Sequence, residues 1–303
     1  MEADFVRWLR EHVPPHPALR LGLGDDAAVL ALGGRSDVVV TTDLLSDGVD
    51  FRLPEIDPRR AGRKALAVNL SDLAAMGARP LAAVVAIAVP RTGCGSLSAL
   101  DLAVALYEGL LPLAAEFDVA VAGGDTNTHD APLVISVTVL GELTARGPLT
   151  RSGGRPGDKL LVTGSLGGSA LGHHLDFSPR IREALLLHER YDLHAGIDVS
   201  DGLALDLSRL AAESGCGAVV QVDRVPISEA ARTLADPLQR ALGDGEDFEL
   251  LLAVPPAAAA VVLRDQPIAC PITCVGELIA EAGLWKQDAA QQRTPLEPTG
   301  WQH

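Results

Sequence analysis

Aromatic residues are scarce, ten in 303 positions. A core without them is built from Ala, Val and Leu, which favours closely packed α/β layers over aromatic-rich all-β domains. Cysteine is nearly as rare. Cys94, Cys216, Cys270 and Cys274 are irregularly spaced, and a zinc site would need more ligands near the last pair, so these read as ordinary thiols. No stretch approaches the roughly 20 apolar residues that cross a bilayer. The opening MEADFVRWLREH also lacks the order of a secretory leader, so a cytoplasmic protein with no membrane partner is expected. Positive charge is in deficit, at a net -15, which argues against nucleic acid, because phosphate backbones are gripped by clustered Lys and Arg. The P-loop, the GxGxxG fingerprint, the GxSxG elbow and the HExxH helix are all missing. If this chain binds ATP, it does so with acids and metal ions.

Acids in short motifs are what the chain does have: GLGDD (22 to 26), TTD (41 to 43), NLSD (69 to 72), GGDT (123 to 126), DVSDG (198 to 202) and DGEDFE (244 to 249). Mg2+ prefers octahedral oxygen coordination and dehydrates reluctantly, so proteins hold it with one or two carboxylates per ion and leave the rest to water and phosphate. Carboxylates scattered beside Gly, Ser and Thr suggest several Mg2+ ions around a polyphosphate.

The length suits two domains. Residues 4 to 12 read as a short helix, and VVVTT (38 to 42) as a buried strand ending at Asp43, where ligands sit in α/β folds. Residues 58 to 77 are the clearest helix, with Asp57 as N-cap, Pro58 in the first turn and Gly77 as the stop. A strand over 82 to 89, a helix over 97 to 117, a strand over 119 to 122 leading into GGDT and a strand over 133 to 140 follow. TARGPLTRSGGRPGD (144 to 158) is the one stretch resembling an interdomain connection, and the boundary is set at residue 147, giving domains 1 to 147 and 148 to 303. Beyond it come strands at KLLVTG, AGIDV, GAVVQV, FELLLAV and ITCVGEL. A helix over 201 to 214 carries Leu203, Leu207, Leu210 and Ala211 on one side.

Each motif has a plainer explanation. GLGDD and GGDT pass for turns, TTD for a capped strand end, and DVSDG for a helix N-cap. Asp72 in an otherwise apolar helix needs either an arginine or a metal ion. Arg151 could neutralise a transferring phosphoryl group or simply be a solvated linker residue.

Taken in order, the motifs resemble the thiamine-monophosphate kinase family, of the superfamily that includes aminoimidazole ribonucleotide synthase and selenophosphate synthetase. KALAVNLSDLAAMGARP (64 to 80), TRSGGRPGD, DVSDGL and GEDFEL carry the similarity, which runs from about residue 20 to the C-terminus. The resemblance implies a two-domain aminoimidazole ribonucleotide synthase-like α/β (α+β) fold. It also implies an N-terminal domain whose strands form a barrel across a homodimer, and ATP-dependent phosphorylation of thiamine monophosphate to thiamine diphosphate. It assigns Mg2+ to Asp26, Thr41, Thr42, Asp43, Asp72, Asp125, Asp198 and Asp201. Tyr107, Gly124, Asp125, Arg151 and Ser200 would lie along ATP, and Asp50, Glu246 and Trp301 would face the thiamine; Asp43, Asp72, Asp125, Arg151 and Asp201 would form the catalytic set. Transfer would be in line, without a phosphoenzyme, because the acceptor oxygen is already an anion. Trp301 would stack on a cationic thiazolium or a pyrimidine.

The chain departs from the family in two places. Asp50 precedes Phe51 where a His is usual, and the stretch between GSLGG and GIDVSDG is short. Two other readings stay open: another ATP-dependent enzyme of the superfamily with a different acceptor, and a non-catalytic nucleotide-binding homodimer.

Overall fold

The computed structural model describes residues 17, 19–21, 25–31 and 37–301. The helix expected over 4 to 12, and Gly22 and Gly24 of GLGDD, lie outside the described residues.

Two open sheets organise the chain. The first runs β1-β2-β3-β6-β4-β5, from Leu19–Leu21 (β1), Ala28–Leu30 (β2), Val38–Ser46 (β3), Ala78–Pro90 (β4), Ala120–His129 (β5) and Val134–Leu143 (β6). All neighbours are antiparallel except β4 and β5. The barrel expected from the family resemblance is not formed. Among the described residues neither β1 nor β5 has a second strand neighbour, and a three-residue edge strand is too short to carry a closing ladder.

Alternation along β3 and β4 separates the two faces of this sheet. Val39, Thr41 and Leu45, with Ala83, Val85 and Ile87, are buried on one face. That face is covered by helix α1 (Pro58–Ala75), and helix α2 (Ala99–Glu116) packs against α1. The other face is open, and Leu44 there is 63% exposed and Val84 41%.

Helix α1 begins and ends where the sequence marks it. The Asp57 carboxylate accepts from Arg59 N, and Gly77, just past the last turn, takes φ +61. The two helices meet backbone to backbone: a Cβ on Gly62 would lie 1.9 Å from Leu106 O, and one on Gly109 1.8 Å from Arg59 O.

Two strands run further than their residue types suggest. β3 continues past Asp43 to Ser46, because Leu44, Leu45 and Ser46 pair with Val134 to Ser136. GGDT is no turn, since β5 passes through it to His129 in register with β4.

The second sheet runs β13-β12-β9-β11-β7-β10-β8. Its central strands are Lys159–Thr163 (β7), Ala195–Asp198 (β8), Gly217–Gln221 (β9), Leu250–Val254 (β10) and Ile272–Ile279 (β11), with Leu284–Gln287 (β12) and Arg293–Pro295 (β13) at one edge. Helix α3 (Ile181–Arg190) packs on α1. Helix α4 (Leu203–Glu213) buries Leu203, Leu207, Leu210 and Ala211 against this second core. Among the described residues no helix is long and apolar enough to cross a membrane, and the four cysteines are free.

Because an added methyl has nowhere to go at the α1–α2 contact, Gly62→Ala and Gly109→Ala are each expected to cost about 3 kcal/mol or more. Chemical denaturation would show this as a lower midpoint at unchanged slope.

Candidate active site

Helix α1, the turn before β2 and the end of β8 bring three acids together. One carboxylate oxygen from each of Asp26, Asp72 and Asp198 lies within 4.8 Å of the others. Each acid is held by a separate partner. Thr41 Oγ1 donates to Asp72 at 2.5 Å, and Ser71 Oγ donates to Asp198 at 2.5 Å. Arg151 grips Asp26 with two bonds, Nη2 at 2.7 Å and Nε at 3.2 Å. The Arg151 backbone N–H also donates to the Asp25 carboxylate, so the residue that opens TRSGG is fastened twice.

Asp43 enters from the neighbouring strand, and its Oδ2 is buried with no hydrogen-bond partner. Like charges crowded out of water resist ionisation. Burial first, then Asp50, pushes the Asp43 carboxyl up to about 6. Burial, then Asp43, Asp198 and Asp26, raises Asp72 well above the ordinary range, and burial followed by Asp26 does the same to Asp198. Burial and Asp26 lift Asp25 to about 6. Burial alone would lower Arg151, but Asp26 and Asp25 outweigh it and raise the guanidinium. Hard oxygen donors, one of them orphaned, in a site where a single guanidinium faces several carboxylates suit a divalent cation such as Mg2+.

The DVSDG turn beside this cluster is held from within α4. Asp206, fully buried, accepts from the N–H groups of Asp201 and Gly202 at 2.9 and 3.0 Å. Helix α4 has Gly202 at its N-cap and no side-chain cap, so the acids of DVSDG are not capping residues: Asp198 joins the cluster, while Asp201 pairs with Arg209 at 2.5 Å. Burial and Asp201 lift the Asp206 carboxyl to about 7. Ser200 offers its carbonyl to Glu246 N at 2.6 Å.

A second group of residues gathers near that turn. Trp301 N donates to Asp201 O, which returns the C-terminal segment to the DVSDG turn with Trp301 48% exposed. The Asp50 carboxylate folds back onto Ser46 N at 2.7 Å, and its carbonyl accepts from Lys64 Nζ at 2.8 Å. The same ammonium bonds the Glu246 carboxylate. Lys64 is missed by motif reading, since a lone lysine in an apolar helix passes for a surface residue. Its signal is its place seven residues before Ser71, on the same helix face.

Thr42, Gly124, Asp125 and Tyr107 stand apart from the cluster. The Thr42 hydroxyl meets Thr138 Oγ1 on the open face of the sheet. Asp125 pairs in register with Ala86 and shares that open face. Three strand spacings separate it from β3, about 14 Å. Gly124 packs its backbone close to Val85 O, and Tyr107 is half-buried on α2, against the core.

Cation binding needs ionised acids, so it releases protons. A raised carboxyl stabilises the unliganded fold below its unfolded value of 3.8, and that contribution is lost as pH rises through the folded value, about 6 for Asp43. The Mg2+-induced rise in melting temperature is therefore expected to be larger at pH 8 than at pH 5.5. Titration calorimetry in two buffers of different ionisation heat should show net proton release at pH 6.5.

Comparison with known proteins places the chain in a family. The family model described as AIR synthase related protein, N-terminal domain, matches residues 24–143, and the one for the C-terminal domain matches residues 155–284. The thiamine-monophosphate kinase of Rhodopirellula baltica is 43% identical over 315 residues, covering 100% of this chain and 97% of that protein. The Escherichia coli K12 enzyme of the same name is 35% identical over 87% of this chain and 85% of its own length. Among solved structures, AaThiL complexed with AMPPCP and TMP superposes with a TM-score of 0.81 at 26% identity, covering 100% and 96% of the two chains. Thiamine-monophosphate kinase from Stenotrophomonas maltophilia gives 0.73 at 33% identity, covering 93% and 94%. With both domain models matched in order and relatives this similar over 85% or more of their length, the chain belongs to the thiamine-monophosphate kinase family.

Proposed function

We infer that this chain transfers the terminal phosphoryl group of ATP to thiamine monophosphate, giving thiamine diphosphate. The observation that carries this is the Asp26, Asp72 and Asp198 cluster with the orphaned Asp43 oxygen beside it, in a chain of this family. A solved relative complexed with AMPPCP and TMP supports ATP and thiamine monophosphate as the two substrates.

Asp26, Thr41, Thr42, Asp43, Asp72, Asp125, Asp198 and Asp201 hold Mg2+. Bound there, the ions neutralise the phosphate charge that the acids alone would repel. Arg151, kept charged by Asp26, adds a fixed positive group beside the transferring phosphoryl. Tyr107, Gly124, Asp125, Arg151 and Ser200 line ATP, while Asp50, Glu246 and Trp301 face the thiamine. Asp50 turns its carboxylate onto Ser46 N, which reduces its repulsion of a substrate phosphate. The acceptor is an anionic phosphate oxygen, so transfer is direct and in line and needs no general base. The two halves work as units of residues 1 to 147 and 148 to 303, consistent with one sheet ending at Leu143 and the other beginning at Lys159. Four free thiols and a need for ATP fit the cytoplasm.

The working form is a homodimer built on the open face and the β5 edge of the first sheet. Apolar side chains on that face, Leu44 and Val84 among them, favour a second copy. Thr42 and Asp125 share the face but lie far apart within one chain. A two-fold partner seated on that face brings the Asp125 of one protomer toward Thr42 of the other, so that the site is shared between subunits.

Asp43→Asn and Asp72→Asn are each expected to lower thiamine diphosphate formation about 1000-fold or more while the protein stays folded, measured by mass spectrometry with ATP, Mg2+ and thiamine monophosphate. Near-normal rates in both would remove the metal assignment. Mixing the inactive Asp72→Asn and Asp125→Asn proteins under subunit exchange should restore about a quarter of the sites, as expected for sites shared across a two-fold. No recovery, with exchange verified, would return Asp125 to its own chain's site.

A further inference from the structure

Helix α1 makes two ties to the second domain from one face. Lys64 and Ser71 are seven residues apart, so they point the same way and stand about 10 Å apart along the helix axis. Ser71 holds Asp198, at the metal end of the site. Lys64 holds Glu246, at the end where the thiamine is proposed to sit. The Lys64 side chain is fully buried, and a buried ammonium persists only when paired, because it has given up its hydration. Its partners come from both halves of the chain: the Asp50 carbonyl in the first and the Glu246 carboxylate in the second.

Glu246 itself is held in an uncommon conformation. Its φ is +56, and Gly245 and Phe248 on either side of Asp247 also have positive φ. For residues other than glycine this conformation is strained and persists only where the surroundings enforce it. Ser200 O accepts from Glu246 N, Val199 O accepts from Phe248 N, and Ser169 Oγ donates to Gly245 O. These bonds fix the backbone of the 244–249 loop. Lys64 bonds the Glu246 carboxylate, whose side chain is one-third exposed.

We propose that Lys64 is a positioning residue: with Ser71 it makes α1 a ruler that sets the spacing between the phosphate-binding acids and the carboxylate that meets the thiamine. This rests on the kinase reading and adds a specificity device to it. Thiamine monophosphate spans both ends of the ruler, whereas ATP depends only on the metal end.

The test is Lys64→Met, with Lys64→Arg as the conservative variant. The expected result for Lys64→Met is a KM for thiamine monophosphate raised about tenfold, the loss of one charged hydrogen bond, with the KM for ATP within about twofold of wild type. Lys64→Arg should recover part of the loss, and adding Glu246→Gln to Lys64→Met should cost no more than the worse single variant. Equal changes in both KM values, or none, would overturn the assignment. Hydrogen exchange over residues 244 to 249, measured without substrate, tests the tie independently of the reaction. Exchange should quicken in Lys64→Met and in Glu246→Gln, which breaks the contact from its exposed end if the lysine variant does not fold. If neither variant loosens the loop, the ruler fails. If the loop loosens but wild-type protein neither binds nor phosphorylates thiamine monophosphate, the assignment of substrate fails instead.

Discussion

Mutual repulsion among Asp26, Asp72 and Asp198 is the constraint around which the rest of the molecule is arranged. Three carboxylates within 4.8 Å would drive their elements apart in water-poor surroundings. The fold opposes this with Thr41 on Asp72, Ser71 on Asp198 and Arg151 on Asp26. The acids come from the β2 approach, α1 and β8, so holding them together also docks the second sheet on the first layer of helices. Assembly of the site and assembly of the two halves are one event.

The packing of α1 follows from that demand. It must pass close to β3 to meet Thr41, close to β8 to meet Asp198, and lie against α2 on its remaining side. Gly62 and Gly109 let the two helices touch backbone to backbone, and small residues fill most of the buried face: Ala61, Ala65, Ala67, Ala74 and Ala75. Bulky rings on that face would hold α1 away from the strands whose acids it joins.

Much of this was legible in the residues. Asp57 and Gly77 mark the ends of α1, the β-branched run before Asp43 marks β3, and Asp72 in an apolar helix required a partner. What was hidden depends on separation along the chain or on geometry without a motif. Arg151 meets Asp25 and Asp26 across more than 120 residues. Lys64 carries no local mark of its link to Glu246. GGDT looks like a turn because glycine favours turns, yet as an edge strand it has no two-sided burial to impose alternation. The barrel came from family likeness, and no local residue pattern could have tested it.

The connection between the two halves is rich in glycine, proline and arginine, the composition of a flexible joint. Its behaviour is set instead by Arg151, whose N–H is fixed on Asp25 and whose guanidinium is fixed on Asp26. Swinging one half away from the other would strip both bonds from buried carboxylates and leave those charges uncompensated. A hinge-bending route that opens the site is thus costly, and the joint behaves as a rivet.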